Sequence, residues 1–206
     1  QLGRDIAKTA ADTGFLVIVN HGIPQSLIDG CFAAAAAFFD RDEAFKLALK
    51  VGDLNIGYLP YGAQIVRTSK INVNTKPNLS ESFYIVNDLS PRDPRILAGD
   101  PLYGLNRWPP GMPDFKAATL AYIAAMTPLA DRMVSAVATA LDLPPDYFTA
   151  AFTDEPTRTL RLIRYPSHEG AEDNQFGFAP HIDTNFLTLL AQSALPGLEV
   201  RTAQGE

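Results

Sequence analysis

Apolar residues recur every three or four positions through much of the first 155 residues, which is the spacing of amphipathic helices. Gly14 and Pro24 fit the end of one helix and the start of the next, because glycine suits a left-handed C-cap and proline suits the first helical turn. The pattern predicts helices over residues 2–14, 24–39, 40–50 (with Asp40 and Glu43 as a capping pair), 115–141 and 146–152.

Shorter runs of β-branched and aromatic residues predict strands. After Pro156 such runs dominate, and the order of helices first and strands afterwards indicates an α+β fold. We therefore expect two regions, a mostly helical one over 1–155 and the start of a β barrel over 156–206. The predicted strands are 15–19, 81–86, a strand that contains 160–163 and ends at Tyr165-Pro166, 186–190 and 198–201, the last followed by a turn at 203–205.

One triplet, His181-Ile182-Asp183, lies inside the apolar run 178–190. In a strand, residues two apart project from the same face, so the imidazole and the carboxylate would lie close together. Such a pair supplies two of the three ligands of the facial triad that holds non-haem Fe(II). A lone His-x-Asp is common by chance, and a surface pair on a strand is the alternative. No histidine follows Asp183 to complete the triad.

Composition narrows the class of protein. A formal net charge of −6 argues against a nucleic-acid-binding surface, which needs clustered lysine and arginine. No apolar run is long enough to span a bilayer, so no membrane partner is expected. The single cysteine, Cys31, excludes an intramolecular disulfide and favours a cytoplasmic location. With 47% hydrophobic residues the chain can bury a substantial core, as one domain or as one domain with a helical extension.

The triplet is one of several motifs that occur along the chain in the order typical of a known family. The chain resembles the isopenicillin N synthase-like family of Fe(II)- and 2-oxoglutarate-dependent dioxygenases, and the resemblance covers nearly its whole length. The segments that carry it are Gly14–Ile23, Glu81-Ser82-Phe83, Leu162–Pro166, His181-Ile182-Asp183 with Leu187–Leu190, and Pro196–Val200.

The resemblance implies a double-stranded β-helix (jelly-roll) core, here incomplete, behind a helical N-terminal region. It implies that His181 and Asp183 are catalytic residues and the first two metal ligands, with Fe(II) as cofactor. Tyr165 matches a family tyrosine that contacts the co-substrate, 2-oxoglutarate, or the substrate carboxylate. The family's distal histidine and Arg-x-Ser pair would lie beyond Glu206, so the chain is expected to be truncated at both ends.

The function implied is an oxygenase that uses O2 and 2-oxoglutarate to hydroxylate or desaturate a small organic substrate. A 2-oxoglutarate-independent oxidase of the isopenicillin N synthase type is the nearest alternative, and Arg164-Tyr165-Pro166 suits it equally well. A metal-free or inactive binding fragment is another. A zinc hydrolase would need a general base near the metal, and the sequence offers no candidate at suitable spacing.

Other polar and aromatic residues have structural interpretations. His21 is expected to stabilise a turn, Glu81 to be structural, and His168 to be an exposed loop residue instead of a ligand. The arginines at 158, 161 and 164 are expected to face solvent, with anion binding as the alternative and a place near the pocket mouth open to Arg164, next to Tyr165. Three alternatives are open for Tyr58, Tyr61 and Phe83, which belong to a substrate pocket, to the core or to the surface.

Overall fold

The computed structural model describes residues 2–67, 69, 72–152, 156–168 and 170–200. Among these residues it contains helices, one short 3-10 helix and a three-stranded sheet. In chain order the elements are α1 (Leu2–Thr13), α2 (Gln25–Phe39), α3 (Glu43–Leu47), β1 (Gly57–Leu59), β2 (Glu81–Val86), α4 (Pro94–Leu97), α5 (Pro113–Ala140), the 3-10 helix (Thr149–Phe152) and β3 (Thr159–Arg164).

The long predicted helices are confirmed. Helix α1 ends directly before Gly14, as predicted. Gly14 adopts a φ of 74°, and its N–H donates to the Ala10 carbonyl at 2.9 Å. Helix α2 begins directly after Pro24, and α5 continues through Pro128. The last predicted helix is shorter than expected, because only residues 149–152 form a 3-10 helix.

The cap of α3 differs from the prediction. Asp42, not Asp40, is the N-cap, and its carboxylate accepts a hydrogen bond from the Phe45 N–H at 2.8 Å. Asp40 instead forms an ion pair with Arg164 at 3.0 Å. The helix stops at Leu47, short of Lys50, because Lys50 makes a β-bridge with Tyr58. Tertiary pairing therefore outweighs the local capping pattern.

The sheet has the order β1-β2-β3, and both pairs are antiparallel. Strands β2 and β3 confirm the predicted strands 81–86 and 160–163. Their register places Glu81 opposite Arg164 and Tyr84 opposite Arg161. Cross-strand neighbours of this kind lie about 5 Å apart, so the register decides which side chains meet.

Three predicted strands are wrong. Residues 15–19, 186–190 and 198–200 form no strand, and no strand runs through 178–185 either. A strand requires a neighbouring strand, and none of these segments belongs to the described sheet, which consists of β1, β2 and β3. The alternate side chains of the first segment are exposed, with Val17 at 92%. Arg201 and the predicted turn at 203–205 lie outside the described residues.

Two compact units make up the chain, and each combines distant segments. The first comprises Gln1–Gly30, Leu120–Pro156 and Phe186–Glu206, and in it Phe148 and Phe152 each pack against Phe186 with ring centroids 5.0 Å apart. The second comprises Cys31–Thr119 and Thr157–Asn185 and contains the sheet. The division into regions 1–155 and 156–206 stays a prediction.

An aromatic cluster forms the core of the second unit. Phe38 is fully buried and packs against Phe83 at 4.6 Å, Phe115 at 5.3 Å and Tyr58 at 5.9 Å between ring centroids. Phe83 and Tyr58 are therefore core residues and not pocket residues, while Tyr61 is 43% exposed. Among the described helices, none is long and apolar enough to cross a membrane.

A buried carboxylate ties this core to the sheet. Glu81 Oε2 accepts hydrogen bonds from Lys46 Nζ at 2.8 Å and from the Tyr58 hydroxyl at 2.6 Å. Burial raises the pKa of Tyr58, and the bond to Glu81 raises it further, so the phenol keeps its proton and donates it. Glu81 thus has the structural position that the sequence predicted.

Removal of this carboxylate tests the arrangement. Glu81→Ala should lower the free energy of unfolding by about 3–5 kcal/mol, because it leaves the Lys46 ammonium buried with the Phe39 carbonyl but without a carboxylate to balance its charge. Urea unfolding monitored by circular dichroism measures the change. The matched control is Glu172→Ala, which breaks the exposed ion pair with Lys76 and should have a far smaller effect. Equal effects of the two substitutions would contradict the structural role of Glu81.

Candidate metal centre

The His181-Ile182-Asp183 triplet lies in irregular backbone, not in the strand that the pattern predicted. The two side chains nevertheless lie together, with His181 Nε2 3.2 Å from Asp183 Oδ1. Both side chains are accessible to solvent, at 35% and 48% exposure. The two side chains are therefore close enough to bind the same metal ion, although they do not project from one face of a strand.

Two asparagines hold this irregular segment in place. Asn78, which is 1% exposed, accepts a hydrogen bond from the Ala179 N–H at 3.0 Å. Asn74 donates to the Pro180 carbonyl at 3.1 Å and to the Val66 carbonyl at 3.0 Å. Side-chain amides thus supply the pairing that a neighbouring strand would supply in a sheet. Sequence reasoning missed both residues, and their only signal was the polar run that precedes β2.

Backbone pairing adds to this anchor. The Leu79 N–H donates to the Phe176 carbonyl at 2.9 Å, and the Asn78 N–H donates to the Gln64 carbonyl at 2.8 Å. The amide nitrogen of Asn78 is buried and has no hydrogen-bond partner among the described residues. These contacts fix the residues immediately before His181, and so they fix the direction in which the imidazole leaves the backbone.

The tautomer of His181 follows from its neighbours. Nδ1 lies 2.9 Å from the Ala179 carbonyl oxygen, which can only accept, so Nδ1 carries the proton. When the ring is neutral, Nε2 presents a lone pair toward the Asp183 carboxylate. Two electron-pair donors at this distance repel each other unless a proton or a cation lies between them. Backbone control of the outer nitrogen is the usual arrangement for a metal-binding histidine.

The donor set fits a divalent metal of the iron type. One imidazole and one carboxylate, without a thiolate, match two members of the facial triad. Among the described residues there is no group of three His, Cys, Asp or Glu side chains that could hold a metal. The described residues therefore offer two candidate ligands, a pair that we call the half-site, and the assignment of His181 and Asp183 as metal ligands stays a prediction.

Arg161 lies beside this half-site and is not the solvent-facing residue that the sequence predicted. Its guanidinium lies 4.6 Å from the ring centroid of Phe178 and 5.0 Å from that of Tyr84. Phe178 in turn contacts the His181 ring edge-to-face at 4.6 Å. The antiparallel register accounts for the difference, because it places Arg161 directly opposite Tyr84 on strand β2.

Tyr165 follows β3 directly and is 55% exposed. Its ring packs against the backbone at Gly177, where an added Cβ would lie 3.0 Å from Cδ1. Position 177 therefore has little room for a side chain beside this ring. The structure places Tyr165 within the same unit as His181, and its role in binding the co-substrate stays a prediction.

The other two histidines have the positions that the sequence indicated. His168 is exposed in the loop after Tyr165. His21 Nδ1 accepts a hydrogen bond from the Ile23 N–H at 3.1 Å, which stabilises a turn. Neither belongs to a described metal-binding group.

Comparison with known proteins identifies the family. The family model described as the N-terminal region of the non-haem dioxygenase in morphine synthesis matches residues 1–111, which is more than half of the chain. The chain belongs to this family.

Curated relatives agree with that result. A 2-oxoglutarate-dependent dioxygenase of Didymella fabae is 32% identical over 97% of this chain. A 2-oxoglutarate-Fe(II) type oxidoreductase of Emericella nidulans is 29% identical over 98% of it. The chain covers 62% and 58% of these two relatives, so it spans about three fifths of their length.

A solved structure shares the fold. A protein from Caulobacter crescentus assigned to the 2OG-Fe(II) oxygenase family superposes with a TM-score of 0.67 at 23% sequence identity. The superposition covers 83% of this chain and 53% of that one. At this level of identity the likeness shows a common fold, and this chain corresponds to about half of that protein.

The asparagine anchor can be tested by hydrogen exchange. Asn78→Ala removes the acceptor for the Ala179 amide and should accelerate exchange in residues 176–183, because a buried N–H left without an acceptor costs about 1–3 kcal/mol. Mass spectrometry of peptic peptides measures it. Asn106→Ala is the matched control, since Asn106 accepts from the Val86 N–H at 2.9 Å and should affect only that strand end. Unchanged exchange in 176–183 would show that Asn78 does not hold the segment.

Proposed function

We propose that the protein is a non-haem Fe(II) oxygenase that uses O2 and 2-oxoglutarate to hydroxylate or desaturate a small organic substrate. The observation that carries the proposal is the 3.2 Å approach of His181 Nε2 to Asp183 Oδ1, in a chain that belongs to a non-haem dioxygenase family. The relatives named as 2-oxoglutarate-dependent enzymes support the choice of co-substrate.

His181 and Asp183 would hold the iron, and a third ligand would come from elsewhere in the protein. Iron with 2-oxoglutarate and O2 supplies the oxidising power for attack on a C–H bond, and the protein contributes position and exclusion of water. In this chain the Ala179 carbonyl keeps the His181 proton on Nδ1, so Nε2 would donate its electron pair to the metal. Phe178 covers one side of the imidazole and limits its rotation.

The surrounding structure has further proposed roles. Tyr165 would contact the co-substrate, which its exposed ring at the end of β3 allows. We also propose that β3 and the segment after it belong to a jelly-roll core. Support comes from the fold shared with the Caulobacter crescentus protein, while the described residues themselves form only a three-stranded antiparallel sheet.

Metal binding provides the direct test. The protein as its gene encodes it, mixed anaerobically with Fe(II) and 2-oxoglutarate, should show a weak visible charge-transfer band. His181→Ala should abolish the band and lower the bound iron, because one of the proposed ligands is lost. Absorption spectroscopy and metal analysis after gel filtration measure both effects. His168→Ala is the matched control, and it should keep band and iron because its side chain is exposed in the loop.

The outcomes separate the alternatives. Iron bound through His181 without a band on addition of 2-oxoglutarate would favour the oxidase that does not use this co-substrate. Native iron content in His181→Ala would show that the ligand assignment is wrong. Absence of iron binding in the unsubstituted protein would favour a metal-free binding module.

A further inference from the structure

A second feature of the sheet-containing unit is an open cleft of about 440 Å³ beside β1 and β2. Leu59, Ala63 and Ile65 form its apolar part, and Asn55, Gln64, Arg67 and Tyr84 contribute polar groups. No acidic side chain lines it among the described residues. We call this group of residues the donor cleft, because its polar groups are able to donate hydrogen bonds.

Arg161 determines which groups Gln64 and Tyr84 present. Arg161 donates to Gln64 Oε1 at 2.8 Å, and since a guanidinium only donates, the oxygen of this amide is occupied and its NH2 group remains as a donor. Burial raises the pKa of the Tyr84 phenol, against the opposing effect of Arg161, so its hydroxyl keeps the proton. Both cleft residues therefore act as donors next to a positive charge.

The charge of the cleft also comes from two arginines. Arg67 lines it directly, and in the described part of the structure its guanidinium has no carboxylate partner. Arg161 lies behind it and donates to the neutral side chains of Ser82, at 2.9 Å, and Gln64. Arg161 also interacts electrostatically with the carboxylate of Asp183. The uncompensated positive charge of the cleft therefore comes chiefly from Arg67, which forms no ion pair within the described ranges, and an anion would compensate it.

We propose that the donor cleft binds the carboxylate group of an organic acid, and that this acid is the substrate class of the enzyme. The second part rests on the proposed function. A carboxylate accepts two parallel hydrogen bonds from a guanidinium, and Arg67 can provide them. The apolar wall suits a hydrocarbon portion next to the acid group. A series of side-chain contacts leads from the cleft to the proposed metal ligands. The guanidinium of Arg161 lies over the rings of Tyr84 and Phe178, and the Phe178 ring packs against that of His181.

A matched pair of probes tests the charge preference. 3-Phenylpropanoate and 3-phenylpropanamide share their shape and differ in charge, and their dissociation constants are measured by calorimetry on the protein as its gene encodes it. EDTA is present, so that the acid cannot bind through iron. The acid should bind about tenfold more tightly than the amide, because it gains charge-assisted hydrogen bonds. Equal affinities would overturn the proposal.

Substitutions test which residue causes the preference for the acid over the amide. Arg67→Gln should reduce the ratio of the two affinities to less than about threefold. Arg67→Lys should give a ratio between those of Arg67→Gln and the unsubstituted protein, because lysine keeps the charge but not the bidentate geometry. Arg92→Gln, a change of an exposed arginine outside the cleft, should keep the full preference. Thermal unfolding monitors the fold of each variant. A preference unaffected by Arg67→Gln, or one lost with Arg92→Gln, would overturn the assignment to the cleft.

A final measurement tests whether an acid in the cleft lies near the proposed iron site. It also separates the proposal for the cleft from the proposed oxygenase function. In protein loaded with Fe(II), the NMR signals of bound 3-phenylpropanoate should broaden, and they should stay sharp in His181→Ala. Binding without broadening in iron-loaded protein would overturn the substrate assignment. If the protein binds no iron, the proposed function fails and with it the substrate assignment, while the EDTA experiments still decide whether the cleft binds carboxylates.

Discussion

The central strand β2 is the constraint on which the sheet-containing unit depends. Its first residue, Glu81, is buried and accepts hydrogen bonds from Lys46 and Tyr58, which ties helix α3 and strand β1 to it. A buried ion pair contributes little net stability compared with an apolar contact, but it allows few alternative arrangements, because each charge must keep its partner. The antiparallel pairing with β3 then follows with a single register.

That register determines the surroundings of the candidate metal centre. It sets Arg161 opposite Tyr84, from where the guanidinium reaches Gln64 on one side and Phe178 on the other. Phe178 leads to His181, which is held by the carbonyl of Ala179. A change in register by one residue would turn Arg161 to the opposite face of the sheet and separate these contacts. The donor cleft and the metal half-site thus depend on the same strand pair.

The half-site shows how an irregular segment can be made specific. Residues 178–183 have no strand partner among the described residues, so their geometry relies on amide side chains, chiefly those of Asn74 and Asn78. Both groups are largely buried, and a buried amide that loses its partner costs free energy. Each asparagine therefore favours one position of this backbone over its alternatives. Because the two proposed ligands remain accessible to solvent, a metal could reach them without disturbing the core.

The sequence by itself determined the long helices, strands β2 and β3, and the family, because local periodicity and ordered motifs carry that information. It placed His181, Asp183 and Tyr165 as candidates, and their roles stay predictions. Only the tertiary structure decided that Asp42 caps α3, that segments 15–19 and 186–190 form no strand, and that Arg161 lies against Tyr84 and Phe178. A run of strand-forming residues becomes a strand only where a distant segment pairs with it, and side-chain contacts also depend on distant residues. Local patterns therefore identified candidate strands, and the tertiary structure decided which of them formed.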